Sequence, residues 1–218
     1  MNKRNFLRLA TLTPFLCSVL PVFSQGKPDG GKADSTRPFR TVNAPEDGRR
    51  VLFFFDFSCP FCAHYHEPIV KWASTVPANV QTMFVPVVNV SDVARRNEEY
   101  IAAKCYYSAA TLSNKEQMNR FVASVYESRS RSIPLASKDV WKKAVKDAGI
   151  NPKKFGEALL DKRTNFQVEF AAKKAIQYAL VATPSVGVGG KYVITPEDVL
   201  GDETMFFNIL NGLTSEIL

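Results

Sequence analysis

Arg50-Val51-Leu52-Phe53-Phe54-Phe55-Asp56-Phe57-Ser58-Cys59-Pro60-Phe61-Cys62 is the stretch that decides the fold. Val51 to Phe55 is an unbroken apolar run of strand length, the pattern of a strand buried on both faces. Pro60 suits the first position of a helix, where its missing N–H costs nothing. Beyond it Cys62, Tyr65, Ile69, Trp72 and Val76 recur at three- and four-residue spacings and define one apolar helix face, which Pro77 is expected to end. Val80 to Val88 reads as a second strand. Strand, helix and strand in that order predict a parallel βαβ unit.

Working outward, Phe39 to Val42 is a candidate first strand. After Ser91 the pattern turns helical, with helices expected over 92–108, 115–128, 137–148, 152–160 and 163–180. Val168, Ala172, Ala175 and Ala179 form a small-residue stripe on the last of these. Short strands are expected at 185–188 and 192–193 around the turn Gly189-Gly190, and a final helix over 202–213. The expected architecture is an α/β domain (38–90 and 182–218) interrupted by a helical insertion (91–181).

The start of the chain has a different character. Lys3, Arg4 and Arg8 precede an apolar stretch from Leu9 to Leu20, and Val22-Phe23-Ser24 supply cleavage-site residues. This predicts a secretory signal over residues 1–24, followed by a flexible leader over 25–37. The apolar run falls short of the about 20 residues that span a bilayer. Lys3, Arg4 and Arg8 are three of the 28 basic residues, so without residues 1–24 the net charge falls from +7 to +4. That mild excess carries no aromatic-interleaved basic motif, which argues against nucleic-acid binding. The lysines at 142, 143, 146, 153, 154, 173 and 174 read as solvated helix faces.

Of the four cysteines, Cys17 lies in the predicted signal, leaving Cys59, Cys62 and Cys105. An odd count in an exported chain allows at most one internal pair. One close pair points to redox chemistry rather than a structural framework. Cys59 is expected at the helix start, facing unpaired N–H groups and the positive end of the helix dipole, which favour thiolate over thiol. Cys62 lies one turn deeper. Cys59 is therefore the candidate exchanging sulfur and Cys62 the resolving one. Far along the chain, Thr183-Pro184 precedes a short strand. A cis bond there would present backbone groups to a substrate beside the cysteines.

Phe55-Asp56-Phe57-Ser58-Cys59-Pro60-Phe61-Cys62, the helical insertion, and Thr183-Pro184-Ser185-Val186 through Gly190-Lys191-Tyr192 together resemble the DsbA family of bacterial periplasmic disulfide oxidoreductases. The resemblance covers residues 38–218. It implies a thioredoxin fold with an inserted helical domain, periplasmic location, and a catalytic disulfide donated to exported proteins with free cysteines. A DsbB-like, quinone-linked inner-membrane oxidase would reoxidise it. It further implies Cys59 as nucleophile, Cys62 as resolving cysteine, Pro184 as the cis-proline, Pro60, Phe61 and Thr183 as tuning or substrate-contacting residues, a monomer, and no cofactor beyond the disulfide. Three positions depart from the family pattern. Phe61 stands where histidine is common. Phe53 stands where many members bury an acid. Thr183 replaces the valine frequent in oxidases and is nearer to the isomerases and reductases, so an isomerase or reductase of the same fold is the alternative.

A metal-binding module is a further alternative, since Cys59, Cys62, His64 and His66 are close in sequence. Helical geometry turns His64 about 160° from Cys62, which disfavours four ligands on one centre. His64 and His66 read as surface or rim residues, Cys105 as a buried small hydrophobe, and Phe61 as an apolar docking surface beside the exchanging sulfur.

Overall fold

The computed structural model describes residues 37–88 and 93–218, the side chains of 93–97 excepted. The predicted signal and nearly all of the predicted leader lie outside these residues, as does the expected helix start at Asp92.

Five strands form one sheet: β1 (Arg40–Thr41), β2 (Arg50–Phe55), β3 (Gln81–Pro86), β4 (Ser185–Val188) and β5 (Tyr192–Ile194), in the order β1-β5-β4-β2-β3. β2 and β3 run parallel, joined through helix α1 (Pro60–Ala73), as the βαβ pattern requires. β4 pairs antiparallel with β2, and Phe53 stands opposite both Phe84 and Val186. Between β3 and β4 the chain forms α2 (Val93–Leu112), α3 (Lys115–Ser130), α4 (Lys138–Asp147), α5 (Pro152–Leu160) and α6 (Lys162–Gln177), and α7 (Glu203–Ser215) closes it. The fold is thioredoxin-like, with helices inserted between the two halves of the sheet.

The aromatic run of β2 is apolar throughout because both faces are covered. Val51 and Phe53 point into one core with Tyr65, Ile69 and Trp72 of α1 and Phe206 and Leu210 of α7. Leu52 and Phe54 point into the other, with Phe121, Val140, Val168 and Tyr178 from the inserted helices. Strand alternation thus divides one apolar run between two cores. Phe53, at the position where many DsbA-like chains bury an acid, is wedged between Trp72 and Phe84 at ring separations of 5.8 and 5.0 Å.

Two glycines are required by close approach. A Cβ on Gly187 in β4 would run into the ring of Tyr178. Gly190 has φ of +65° and lies against the Ala44 carbonyl, where no side chain fits; with Gly189 it makes the tight turn between β4 and β5.

The structure corrects several expectations. α1 ends at Ala73, so Val76 lies beyond it, and Ser74 rather than Pro77 caps the helix. The buried face of α6 is Thr164, Val168, Ala171 and Lys174, rotated from the predicted alanine stripe. Ala179 lies past the helix with φ of +45°. Lys174 is not on a solvated face. It is 3% exposed, with Nζ 2.5 Å from Asp47 and 2.8 Å from Glu46.

Candidate active site

Cys59 is the N-cap of α1, with extended backbone (φ −87°, ψ 119°) and Pro60 directly after it. Its position is fixed from both sides. The Cys59 N–H donates to the Asp56 carbonyl at 3.1 Å, and the Cys59 carbonyl accepts from Ala63 at 3.3 Å. Asp56 in turn folds the loop between β2 and α1, its Oδ1 accepting from the Ser58 N–H at 2.7 Å. The apolar strand therefore delivers Cys59 to the edge of the sheet, half-buried, while Cys62 one turn on is buried in the core.

The third component arrives from 124 residues away. The Thr183–Pro184 peptide bond is cis. The Thr183 carbonyl accepts a hydrogen bond from the Cys59 thiol at 3.1 Å. The two sulfurs are free thiols, and the Asp56 N–H donates to Cys62 Sγ at 3.4 Å.

Their acidities are pushed apart. Cys59 is lowered to about 6, chiefly by a hydrogen bond from the Cys62 thiol. Burial opposes this, and the Thr183 side chain and the N–H groups of Cys62 and Phe61 add to it. Those two N–H groups are among the orphan donors of the helix start, and a thiolate at the N-cap can accept from them as a serine or aspartate would. The Thr183 carbonyl can only accept, so its contact holds the protonated thiol. Burial drives Cys62 in the opposite direction, far above an ordinary thiol, and the neighbouring Cys59 reinforces the shift.

Cys59 lies between two hollows. On one side Phe61, Thr183, Pro184, Pro196 and Leu200 line a groove of about 510 Å³. Phe61 is 61% exposed and Leu200 98% exposed, so this is an open apolar surface beside the sulfur. On the other side Tyr126 and Arg129 of α3 close a smaller hollow of about 170 Å³ over Cys59 and Pro60. The Tyr126 hydroxyl and Arg129 Nε are buried there without partners among the described residues.

The histidines divide. His64 is exposed, with Nε2 4.0 Å from Glu203. His66 is half-buried, at a rim, its ring against Phe84 and Tyr126 at 6.0 and 5.8 Å. Burial lowers its pKa to about 4, so it is neutral at physiological pH. Among the described residues no three His, Cys, Asp or Glu side chains are placed to hold a metal ion. Cys105 is buried in α2. Sequence reasoning did not reach Asp56, Tyr126, Arg129 and Leu200 as site residues. Only Asp56, three residues before Cys59, had a local signal.

A family model described as Thioredoxin matches residues 44–201. The chain belongs to the thioredoxin family. The thiol:disulfide interchange protein DsbA of Burkholderia cepacia is 25% identical over 196 residues, 88% of each chain. The protein of the same name from Bordetella pertussis is 24% identical over 146 residues, which is 67% of this chain and 66%, just under two thirds, of the relative. Among solved structures, a Proteus mirabilis DsbA in complex with the non-covalently bound peptide PWATCDS superimposes with a TM-score of 0.68. It is 16% identical and shares the fold over 83% of this chain and 97% of its own. The chain is thus a thioredoxin-family protein that is similar to DsbA proteins in sequence and in fold.

Proposed function

We propose that the protein donates a Cys59–Cys62 disulfide to exported proteins with free cysteines, in the periplasm. The observation that carries this reading is the pairing of an acidic, accessible Cys59 with a buried, non-acidic Cys62 at one helix start. In the oxidised protein a substrate thiolate attacks Cys59 Sγ. The intramolecular S–S bond breaks, and Cys62 leaves and takes up a proton. A second substrate thiolate then attacks the substrate sulfur of the mixed disulfide. Cys59 departs as a thiolate, the substrate gains a disulfide, and the protein is reduced by two electrons. A low pKa makes Cys59 a good leaving group and stabilises the reduced form, and both effects favour donation over reduction of substrates.

The groove beside Cys59 supports the binding half of the proposal. Phe61 and Leu200 offer apolar contact, while Thr183 and Pro184 present backbone to a peptide strand. The peptide seen on the Proteus mirabilis relative is consistent with that use. Residues 38–90 and 182–218 are proposed as the thioredoxin-like domain and 91–181 as the insertion that covers it. Reoxidation is assigned to a DsbB-like, quinone-linked membrane partner, on the family resemblance alone.

Equilibration in glutathione buffers tests the direction of the chemistry. A midpoint of about −120 mV, the value characteristic of DsbA, supports donation. One below about −200 mV would make the protein a reductant or isomerase. With reduced Cys62→Ala, the Cys59 thiolate should attack a cysteine peptide activated as a mixed disulfide, expel the activating thiol and keep the peptide bound through Cys59. Failure to trap it there sinks the mechanism.

A further inference from the structure

A second cavity, of about 540 Å³, lies among the inserted helices, away from the reactive sulfurs. It is formed by α2, α4 and α5. Trp141, Val145 and Phe155 make its apolar base, and Leu160, 83% exposed, stands at its edge. The volume falls within the range of small-molecule pockets.

Its rim has one sign of charge. Lys138, Lys142 and Lys146 follow one another at four-residue intervals along α4, and Lys104 faces them from α2. Among the described residues no carboxylate lines the cavity. The contrast with Lys143, next along α4 and absent from the lining, is informative. Lys143 is matched by Glu127 at 2.8 Å and Asp147 at 2.6 Å. On the rim, Lys142 reaches only an exposed Asp139 at 3.7 Å, and Lys138 and Lys146 have no ion pair among the described residues. Like charges at i, i+4 repel one another along a helix. A row of them above an apolar base is complementary to an anion attached to an apolar body. Residues 25–36 carry no large apolar side chain and cannot supply such a body.

We propose that this cavity binds a single-chain amphiphile with a carboxylate head, of the fatty-acid class. The chain lies over Trp141, Val145 and Phe155, and the carboxylate sits among Lys138, Lys142 and Lys146. Cys105, at the base, is pushed up to about 12 by burial, so it remains a neutral apolar surface there.

The test is calorimetric titration of the protein with dodecanoate, dodecanol and dodecyltrimethylammonium, each below its micellar concentration, with tryptophan fluorescence in parallel. Dodecanoate should bind saturably at one per chain, at least tenfold tighter than the ammonium analogue. The Lys142→Glu/Lys146→Glu variant should weaken dodecanoate at least tenfold without changing the alkylation rate of Cys59, and Leu160→Asp, an exposed change that spares the core, should weaken it too. Equal affinity for the carboxylate and the ammonium, no saturable binding, or binding indifferent to both variants overturns the proposal. So does sedimentation showing a concentration-dependent dimer that Leu160→Asp abolishes, since the occupant would then be a second copy.

Discussion

β2 carries a polar cluster at each end, and the two are built on opposite plans. At its amino end Asp47 is fully buried and surrounded by donors. Lys174 and the Tyr178 hydroxyl donate to Oδ2 at 2.5 and 2.9 Å, and Arg50 donates to Oδ1 at 3.0 Å. At the carboxyl end the Cys59 thiol donates to the Thr183 carbonyl and its thiolate is favoured by the Cys62 thiol, but no charged group is tied to it, and the neighbouring Tyr126 hydroxyl and Arg129 Nε lack partners among the described residues. The first cluster is closed and ties α6 to the sheet. The second leaves its reactive atom under-coordinated, with hollows on both sides. One rigid strand thus holds a satisfied network at one end, and at the other a site free to exchange partners.

The sharpest break in that contrast is removal of the reactive atom. Cys59→Ala should reduce disulfide donation to a cysteine-containing peptide by about a thousandfold or more, to the background of the redox buffer. At about pH 5, where Cys59 is protonated in both the folded and the unfolded chain, the thermal midpoint of the reduced protein should move little, because the thiol then contributes one weak hydrogen bond at a half-buried position. Donation assayed by peptide mass and unfolding by circular dichroism separate the two effects. A variant that lost both would place Cys59 among the structural residues.

The opposite break belongs to the closed cluster. Lys174→Met leaves the Asp47 carboxylate buried without its ammonium, and should cost about 3–5 kcal/mol of stability by urea unfolding. Alkylation of Cys59 should keep its pH midpoint, since Lys174 does not contribute to that group. Replacing Asp47 with Leu in the same background should recover much of the loss, because removing both partners abolishes the uncompensated charge. Altered Cys59 alkylation in Lys174→Met would show that the two ends of β2 are coupled.

A third effect is read along the pH axis. In the folded, reduced chain Cys59 releases its proton at about 6. In the unfolded chain it does so at about 8.5. Between those values the folded form binds fewer protons, so reduced-state stability rises with pH. The gain is complete above the unfolded value and lost as pH falls through about 6. Urea unfolding of the reduced protein over roughly pH 5 to 9, with thiolate absorbance alongside, should show this rise. Cys62→Ala should move the alkylation midpoint upward, because the Cys62 thiol is the largest stabiliser of the thiolate.

The sequence disclosed whatever depends on neighbours along the chain. The apolar strand, Pro60 at the helix start, the Cys59–Cys62 spacing and the paired glycines at 189 and 190 all act within a few residues, and each element they predicted is present with its ends shifted by several residues at most. Burial set by remote partners was hidden. Lys174 resembled any surface lysine because Asp47 lies 127 residues earlier. The face of α6 was hidden for the same reason: a buried lysine replaces alanine in the stripe. At the site, the reach of Thr183 to Cys59 could be expected only by resemblance, and nothing in the chain signalled that α3 would set Tyr126 and Arg129 beside the sulfur.

The smallest effect tests that remote arm. Thr183 touches Cys59 in two ways that oppose each other: its carbonyl accepts from the thiol and favours protonation, while its side chain lowers the pKa. Thr183→Val keeps the carbonyl and removes the hydroxyl. The alkylation midpoint should therefore rise, by less than with Cys62→Ala, because Thr183 ranks behind Cys62 as a cause. At about pH 6 the alkylation rate should fall about twofold to threefold, while at about pH 9, where both proteins are largely thiolate, the two rates should converge. A rate difference that persists at the higher pH would mean that Thr183 governs access to the sulfur instead of its charge. The open end of β2 would then be shaped by sterics, with electrostatics left to the helix start and Cys62.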